Sequence, residues 1–327
     1  MKSINIKHKS DLRKITNFCT PRTDYKFSIC TPCFNSSDSI ENVFRSLTNL
    51  EYQNFQWIVV NDASIDNTSE IIKSLMKEAD FDIIFFDLTQ NMMATYCYYL
   101  AIENASGNFL IFLDHDDLIK PNALNRFLSH WEKLSTNQKN TLAGMMSNCE
   151  DEYGDIVGTE FPASPYVNNF FDLMFTDDVR GEKFFCYKTN LMQEYNFELI
   201  DRYVPESYIM WGIASQFDTL YFNESLRIYN QPIAEGKNLS LLNPFDYSAG
   251  FRLNYQNLIN KFASKLKYRP YMLLNFLYKY AQFSSVSKVG FQSCAGGLEN
   301  FFHRALIVPM YMFAKLSFLK PRIQKKF

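Results

Sequence analysis

Between residues 27 and 113, short apolar runs alternate with amphipathic stretches, and this rhythm constrains the chain more than any single residue does. Residues 27–30, 57–60, 82–86 and 109–113 each read as a buried strand. Between them, Ile40, Val43, Phe44 and Leu47, then Ile71, Ile72, Leu75, Met76 and Ala79, recur at helical spacing, and residues 92–103 read as a third helix. Asp38 with Glu41 three residues on has the form of a capping box. Strand and helix in strict alternation predict a parallel, right-handed α/β sheet. At 327 residues the chain exceeds one ordinary core, so a main domain with an appendage is expected.

Past Pro121 the rhythm loosens. A helix to about residue 134, a strand over 141–147 and turns at Tyr153-Gly154 and Val157-Gly158 are expected, with a boundary near residue 242. The organisation expected is an extension over 1–25, two halves of a main domain over 26–119 and 120–242, and a helical region over 243–327.

The fourth strand runs straight into acid. In "FLIFLDHDDLIKPN" (109–122), five apolar residues precede Asp114, Asp116 and Asp117. Ligands of open α/β sheets bind at the carboxyl ends of the strands. Three carboxylates within four residues repel unless a cation neutralises them, and hard oxygen ligands suit Mg²⁺ or Mn²⁺. A solvated acidic turn is the alternative reading. The first strand ends in "TPCFN", where Phe34 offers an aromatic face, and the second in "VNDASIDNT", where the Asp62 carboxylate can accept an N–H of a base. Together they suit a nucleotide, its base held by Asp62 and its diphosphate held through metal by Asp114 and Asp116.

"SICTPCFNSSDSIENVFRSLTNLEYQNFQWIVVNDASIDNTSEII", followed by "NASGNFLIFLDHDD", resembles the opening half of glycosyltransferase family 2, inverting enzymes of GT-A fold, over residues 27–119. The resemblance implies a Rossmann-like, mostly parallel sheet flanked by helices, with a nucleotide-binding half over 26–119 and an acceptor-binding half over 120–242. It also implies that Pro32, Phe34 and Asp62 border the nucleoside, with Asn35, Asn91 and Asp114 completing the nucleotide-binding set. Asp114 would lie near the ribose and Asp116 would bind the metal, with Asp117 in support. The chain departs from the family pattern at Asn61 (an acid in relatives), Ala63 (a glycine), Met93 (a glycine) and Tyr98 (a basic residue). Further on, "RYVPESYIMWGIASQFDTLYFNESLRIY" resembles a subgroup with Pro-Glu in place of the usual Glu-Asp base motif. Glu206 is then the expected general base, its pKa raised by partial burial beside Tyr208, Ile209 and Trp211. Asp177 and Asp178 are its rivals.

The net charge of −2 hides an asymmetry: after Asp246 thirteen Lys and Arg face one acid, Glu299, leaving +12 there and −14 elsewhere. This tail interleaves its bases with Phe, Tyr, Leu and Met, and its longest apolar run, 305–314, is too short to span a bilayer. Such a segment suits the surface of an anionic leaflet. No nucleic-acid recognition motif accompanies the charge. The N-terminus lacks a signal-peptide core, and the seven scattered cysteines, Cys30 and Cys33 among them, suit a reducing compartment.

The reading as a whole is a metal-dependent transferase moving a sugar from a nucleotide donor, with UDP expected, to a glycan or lipid-linked glycan in surface polysaccharide synthesis. It would act in the cytoplasm, peripheral to the inner membrane face. A nucleotidyltransferase and a non-catalytic membrane adaptor are the rival readings.

Overall fold

The computed structural model describes residues 12–17, 24–195, 199–230 and 242–319. These fall into two compact units: a sheet unit of residues 12–195 with 216–230, and a helical unit of residues 199–215 with 242–319. The stretch expected as an acceptor half is thus divided, its residues 199–215 grouping with the C-terminal helices.

The strands are β1 (Leu12–Asn17), β2 (Phe27–Cys33), β3 (Phe55–Asn61), β4 (Asp82–Leu88), β5 (Phe109–Phe112), β6 (Leu118–Ile119), β7 (Leu142–Glu150), β8 (Tyr166–Asn168), β9 (Lys183–Lys188) and β10 (Asp218–Ile228). Among the described residues they form one sheet in the order β1-β4-β3-β2-β5-β9-β7-β10-β6, with β8 also on β10. β2 to β5 are mutually parallel, as the alternation predicts, and β9 enters antiparallel between β5 and β7. All seven residues of β3 are buried, which suits a strand covered on both faces.

The helices of this unit are α1 (Ile40–Thr48), α2 (Thr68–Glu78), α3 (Ala94–Asn104), α4 (Ala123–Glu132), α5 (Thr136–Thr141), α6 (Phe170–Phe175) and α7 (Thr189–Glu194). The predicted stripes of α1 and α2 face the core: Ile40, Val43, Phe44, Leu47, Ile72, Leu75 and Met76 are buried, with Ile71 and Ala79 partly so. The capping box at Asp38 does not form. Ser39 holds the cap position without a side-chain bond, and the Ser36 carbonyl accepts from Ser39 and Ile40 in a turn.

β2 runs three residues beyond its predicted end, through Pro32. Register explains why the ladder tolerates it: Leu113 N–H donates to the Cys30 carbonyl, so the missing N–H of Pro32 faces the β5 side, where pairing has already stopped. Gly107 precedes β5 because a Cβ there would lie 2.4 Å from the Phe27 carbonyl carbon.

The helical unit holds α8 (Ser207–Ala214), a short 3₁₀ turn (Pro244–Tyr247), α9 (Ser248–Lys261), α10 (Ala263–Leu266), α11 (Pro270–Val286), α12 (Phe291–Gly296) and α13 (Phe301–Leu319). Phe283 of α11 stacks between Phe251 and Tyr255 of α9, with ring centroids 5.2 and 5.8 Å apart. Asn257 of α9 donates to the Tyr208 carbonyl of α8 at 2.9 Å. Among the described residues no helix is long and apolar enough to cross a membrane.

Candidate active site

The acidic turn after β5 has a cation of its own. Arg227, near the end of β10, is almost fully buried; its Nε donates to Asp117 Oδ2 and its Nη2 to Asp114 Oδ2, each at 2.6 Å. Two register irregularities in β10 directly precede Arg227 and re-aim the strand there. Asp117 is completely buried, and its other oxygen accepts the Asn230 N–H at 2.9 Å. Each of its oxygens thus accepts a bond, so Asp117, expected from the sequence to support the metal, here also props the corner. Burial pushes the Asp117 carboxyl up to about 7 against the opposing pull of Arg227. Burial also works against the Arg227 charge, but Asp114 and Asp117 more than restore it and raise its pKa.

Asp114 also receives the Tyr98 hydroxyl at a long 3.4 Å, and the Tyr98 ring sits edge-on to Phe112 at 4.7 Å. His115 stands apart from the carboxylates, its Nδ1 3.3 Å from the Ser39 hydroxyl. Asp116 differs from its neighbours. Its carbonyl takes the Asn230 side chain, but its half-buried carboxylate makes no hydrogen bond or ion pair among the described residues. No three His, Cys, Asp or Glu side chains among those residues are grouped as a metal site. The donor set fits a hard divalent cation in a narrower way: one open carboxylate, Asp116, with phosphate and water oxygens to complete the shell.

The loops after β2, β3 and β4 are tied together at the same sheet edge. Asn35 N–H donates to Ser64 Oγ at 2.8 Å, and its side-chain carbonyl accepts from Ile65 at 2.9 Å. Ser36 and Ser37 bond to Thr68 and Asp66. Although burial acts against its charge, hydrogen bonds from Thr68 and Ser37 hold Asp66 down at about 2. The buried Asp62 carboxylate accepts the N–H groups of Met92 (2.6 Å) and Met93 (2.8 Å), and Asn91 donates to the Asp62 carbonyl at 3.2 Å. These bonds, with a left-handed Met93 (φ 70°), delay α3 to Ala94, two residues past its predicted start. Pro32 and the exposed ring of Phe34 lie on the same edge.

The family departures have local causes. Asn61 donates to Asp87 at 2.8 Å, a bond an aspartate there could not make, while Asp87 also takes Ser69 and Lys73. Ala63 (φ 57°) and Met93 keep the left-handed backbone that glycine adopts without strain.

The expected bases fall on both units. Asp178, in the loop between α6 and β9, is exposed and ion-paired with Arg180, while Asp177 accepts from Tyr166 and Asn168. Gly181 of this loop crosses back to back with Gly158 of the β7–β8 segment, where a Cβ on Gly158 would lie 2.1 Å from the Arg180 carbonyl oxygen. Glu206 caps α8 in the helical unit; it is exposed, not partly buried as expected, although Val204, Tyr208 and Ile209 around it are buried.

Sequence reasoning missed Glu182. It precedes β9, whose antiparallel pairing with β5 carries its first residues past the acidic end of that strand. Glu182 is exposed at the surface, yet desolvation by the protein around it, with the Asp114 charge, raises its pKa while Arg227 opposes. Only the sheet order could have placed it there. Cys30 and Cys33 are buried and free, with thiol pKa values raised by burial, so their spacing serves the core.

The profile of glycosyl transferase family 2 matches residues 28–192, about half the chain. The chain belongs to glycosyl transferase family 2. Among its relatives, a poly-β-1,6-N-acetyl-D-glucosamine synthase of Staphylococcus aureus is 34% identical over 28% of this chain and 22% of its own length. A GalNAc(5)-diNAcBac-PP-undecaprenol β-1,3-glucosyltransferase of Campylobacter jejuni is 24% identical over 62% of this chain and 64% of its own. The chain therefore spans less than two thirds of either relative. In fold, this family 2 member matches S. aureus TarS 1–349 in complex with UDP-GlcNAc, with a TM-score of 0.57, 17% identity and 90% and 91% of the two chains covered. The mannosyltransferase PcManGT of Pyrobaculum calidifontis, in complex with GDP-Man and Mn²⁺, matches at 0.50 and 14% identity over 92% and 88%. The GT-A architecture implied by the motifs is thus the fold observed.

Proposed function

We propose that this family 2 protein is an inverting, metal-dependent glycosyltransferase that moves a sugar from a UDP-sugar to a hydroxyl of a glycan or lipid-linked glycan during surface polysaccharide synthesis. The observation that carries the reading is Asp116, whose carboxylate is open among the described residues at a strand-end corner where Arg227 already serves Asp114 and Asp117. Pro32, Phe34, Asn35, Asp62 and Asn91 would frame the nucleoside, with Asp62 acting chiefly by fixing the 91–93 loop beneath it. Asp114 would stand between Arg227 and the ribose. A divalent metal on Asp116, Mn²⁺ or Mg²⁺, would offset the charge of the departing diphosphate.

Transfer then needs a base. The acceptor hydroxyl gives its proton to a carboxylate, its oxygen attacks the anomeric carbon from the face opposite the diphosphate, and the C–O bond to that diphosphate breaks with its electron pair. Glu206 is the proposed base, by its match to the subgroup motif, and Asp178 remains its earlier rival. Glu182 is a second reading, favoured by its place at the start of β9, alongside the acidic end of β5. Glu206→Gln should lower transfer by about 10²–10⁴-fold with donor binding intact. The same loss in Glu182→Gln or Asp178→Asn, with Glu206→Gln active, would move the role.

Three likenesses support the choice of substrates: to a protein named for an undecaprenol-linked acceptor, to TarS with UDP-GlcNAc and to PcManGT with GDP-Man and Mn²⁺. Calorimetry with UDP tests the core of the proposal. Binding should require Mn²⁺ or Mg²⁺ and vanish in Asp116→Ala, and equal affinity in EDTA would overturn the metal's role. Release of a nucleoside diphosphate from the donor distinguishes the transferase from a nucleotidyltransferase, which would release pyrophosphate. A non-catalytic adaptor would release neither.

A further inference from the structure

The exposed face of α13 is apolar, contrary to the usual polar-out arrangement of a surface helix. One stripe, His303, Ile307, Tyr311 and Ala314, is buried in the helical unit, and Tyr311 anchors it by donating to the Val289 carbonyl at 2.8 Å. At 3.6 residues per turn the opposite stripe centres on Ala305 and Leu316. It carries Phe301, Phe302, Val308, Met312, Phe313 and Leu316, each between 43% and 79% exposed. Exposed aromatic residues in that number, along one helix, are a patch rather than the scatter normal for a soluble surface.

Charge selects the occupant. Arg304 and Lys315 lie on one border of the outward stripe, both exposed, and in the sequence Lys320, Arg322, Lys325 and Lys326 follow the helix. One acid, Glu299, stands among the thirteen bases after Asp246. A second copy of this face would bring like charges together, whereas an anionic lipid surface accepts both the aromatic stripe and the bases beside it. We propose that α13 lies flat in the headgroup region of an anionic bilayer, its Phe302–Leu316 stripe immersed and Arg304 and Lys315 at the phosphate level. Membrane attachment of this kind does not depend on the transfer reaction, so it can fail or stand without regard to the proposed activity.

Flotation of the full chain with vesicles of equal parts phosphatidylcholine and phosphatidylglycerol tests it. The protein should float with these, stay behind with phosphatidylcholine alone, and release as salt rises. Phe302→Glu, Met312→Glu and Leu316→Glu combined should reduce binding at least about tenfold with an unchanged melting temperature. Should that triple variant misfold, Arg304→Glu with Lys315→Glu, on exposed positions, should also reduce binding. Equal flotation on both lipids, wild-type binding by the folded variants, or no flotation at all would overturn the proposal. So would a dimer by light scattering that the triple variant converts to monomer without any lipid dependence, since the face would then join two copies.

Discussion

The sheet unit and the helical unit break the rule of burial in opposite directions. In the sheet unit, charge goes inward: Arg227 and Asp117 are buried, Asp62 is closed under a loop, and Lys183 is buried over the Phe161 ring with its ammonium donating to three carbonyls. In the helical unit, apolar side chains go outward along α13. Both exceptions carry a cost, since a buried charge must be paired and an exposed Phe leaves apolar area in water. Each marks a place where folding alone would have chosen differently, and each falls where function is proposed.

The sharpest way to break the comparison is at Arg227. Arg227→Met leaves Asp117 buried with no opposing charge and should destabilise the sheet unit by about 3–5 kcal/mol in urea unfolding. A variant as stable as wild type would mean that the corner is wetter than its burial implies. Next comes Ala63→Gly, which relieves a left-handed alanine and should stabilise by about 0.5–1 kcal/mol, the gain being trimmed by the greater freedom of glycine when unfolded.

A smaller effect concerns the half-exposed Glu224. Hydrogen bonds from Arg126 above all, and from His130, hold its pKa at about 2 in the fold against an ordinary 4.5. A depressed carboxylate stabilises the fold above its ordinary pKa, and that contribution is lost as pH falls toward 2. The melting temperature should therefore decline across that window, and Glu224→Gln should flatten part of the decline. Smallest of all, Phe302→Glu in α13 should change stability by no more than about 0.5 kcal/mol, because the side chain it replaces is 76% exposed. A large loss would show that the outward face is part of the core after all.

The same contrast governs what could be read in advance. β2 to β5 and α1 were legible because each advertises itself within ten residues: Ile40, Val43, Phe44 and Leu47 face inward as their spacing requires. Arg227 was not, because its partners lie over a hundred residues back and only the place of β10 in the sheet brings them near. Glu182 was hidden for the same reason. The start of α3 was misread because Asp62, thirty residues earlier, captures the N–H groups that would have opened the helix. In α13 the basic and aromatic character was plain, but a helix apolar on both sides has no periodic signal to say which side is buried.

The bond between Asn61 and Asp87 has a consequence for how this chain can change. An aspartate at position 61, where the family resemblance leads one to expect an acid, would set a second carboxylate against Asp87, with Lys73 as the base already paired there. Asn61→Asp alone should therefore be poorly tolerated, whereas after Asp87→Asn it should be nearly silent. The two positions are epistatic, and a lineage moving between the two motifs could cross only in one order.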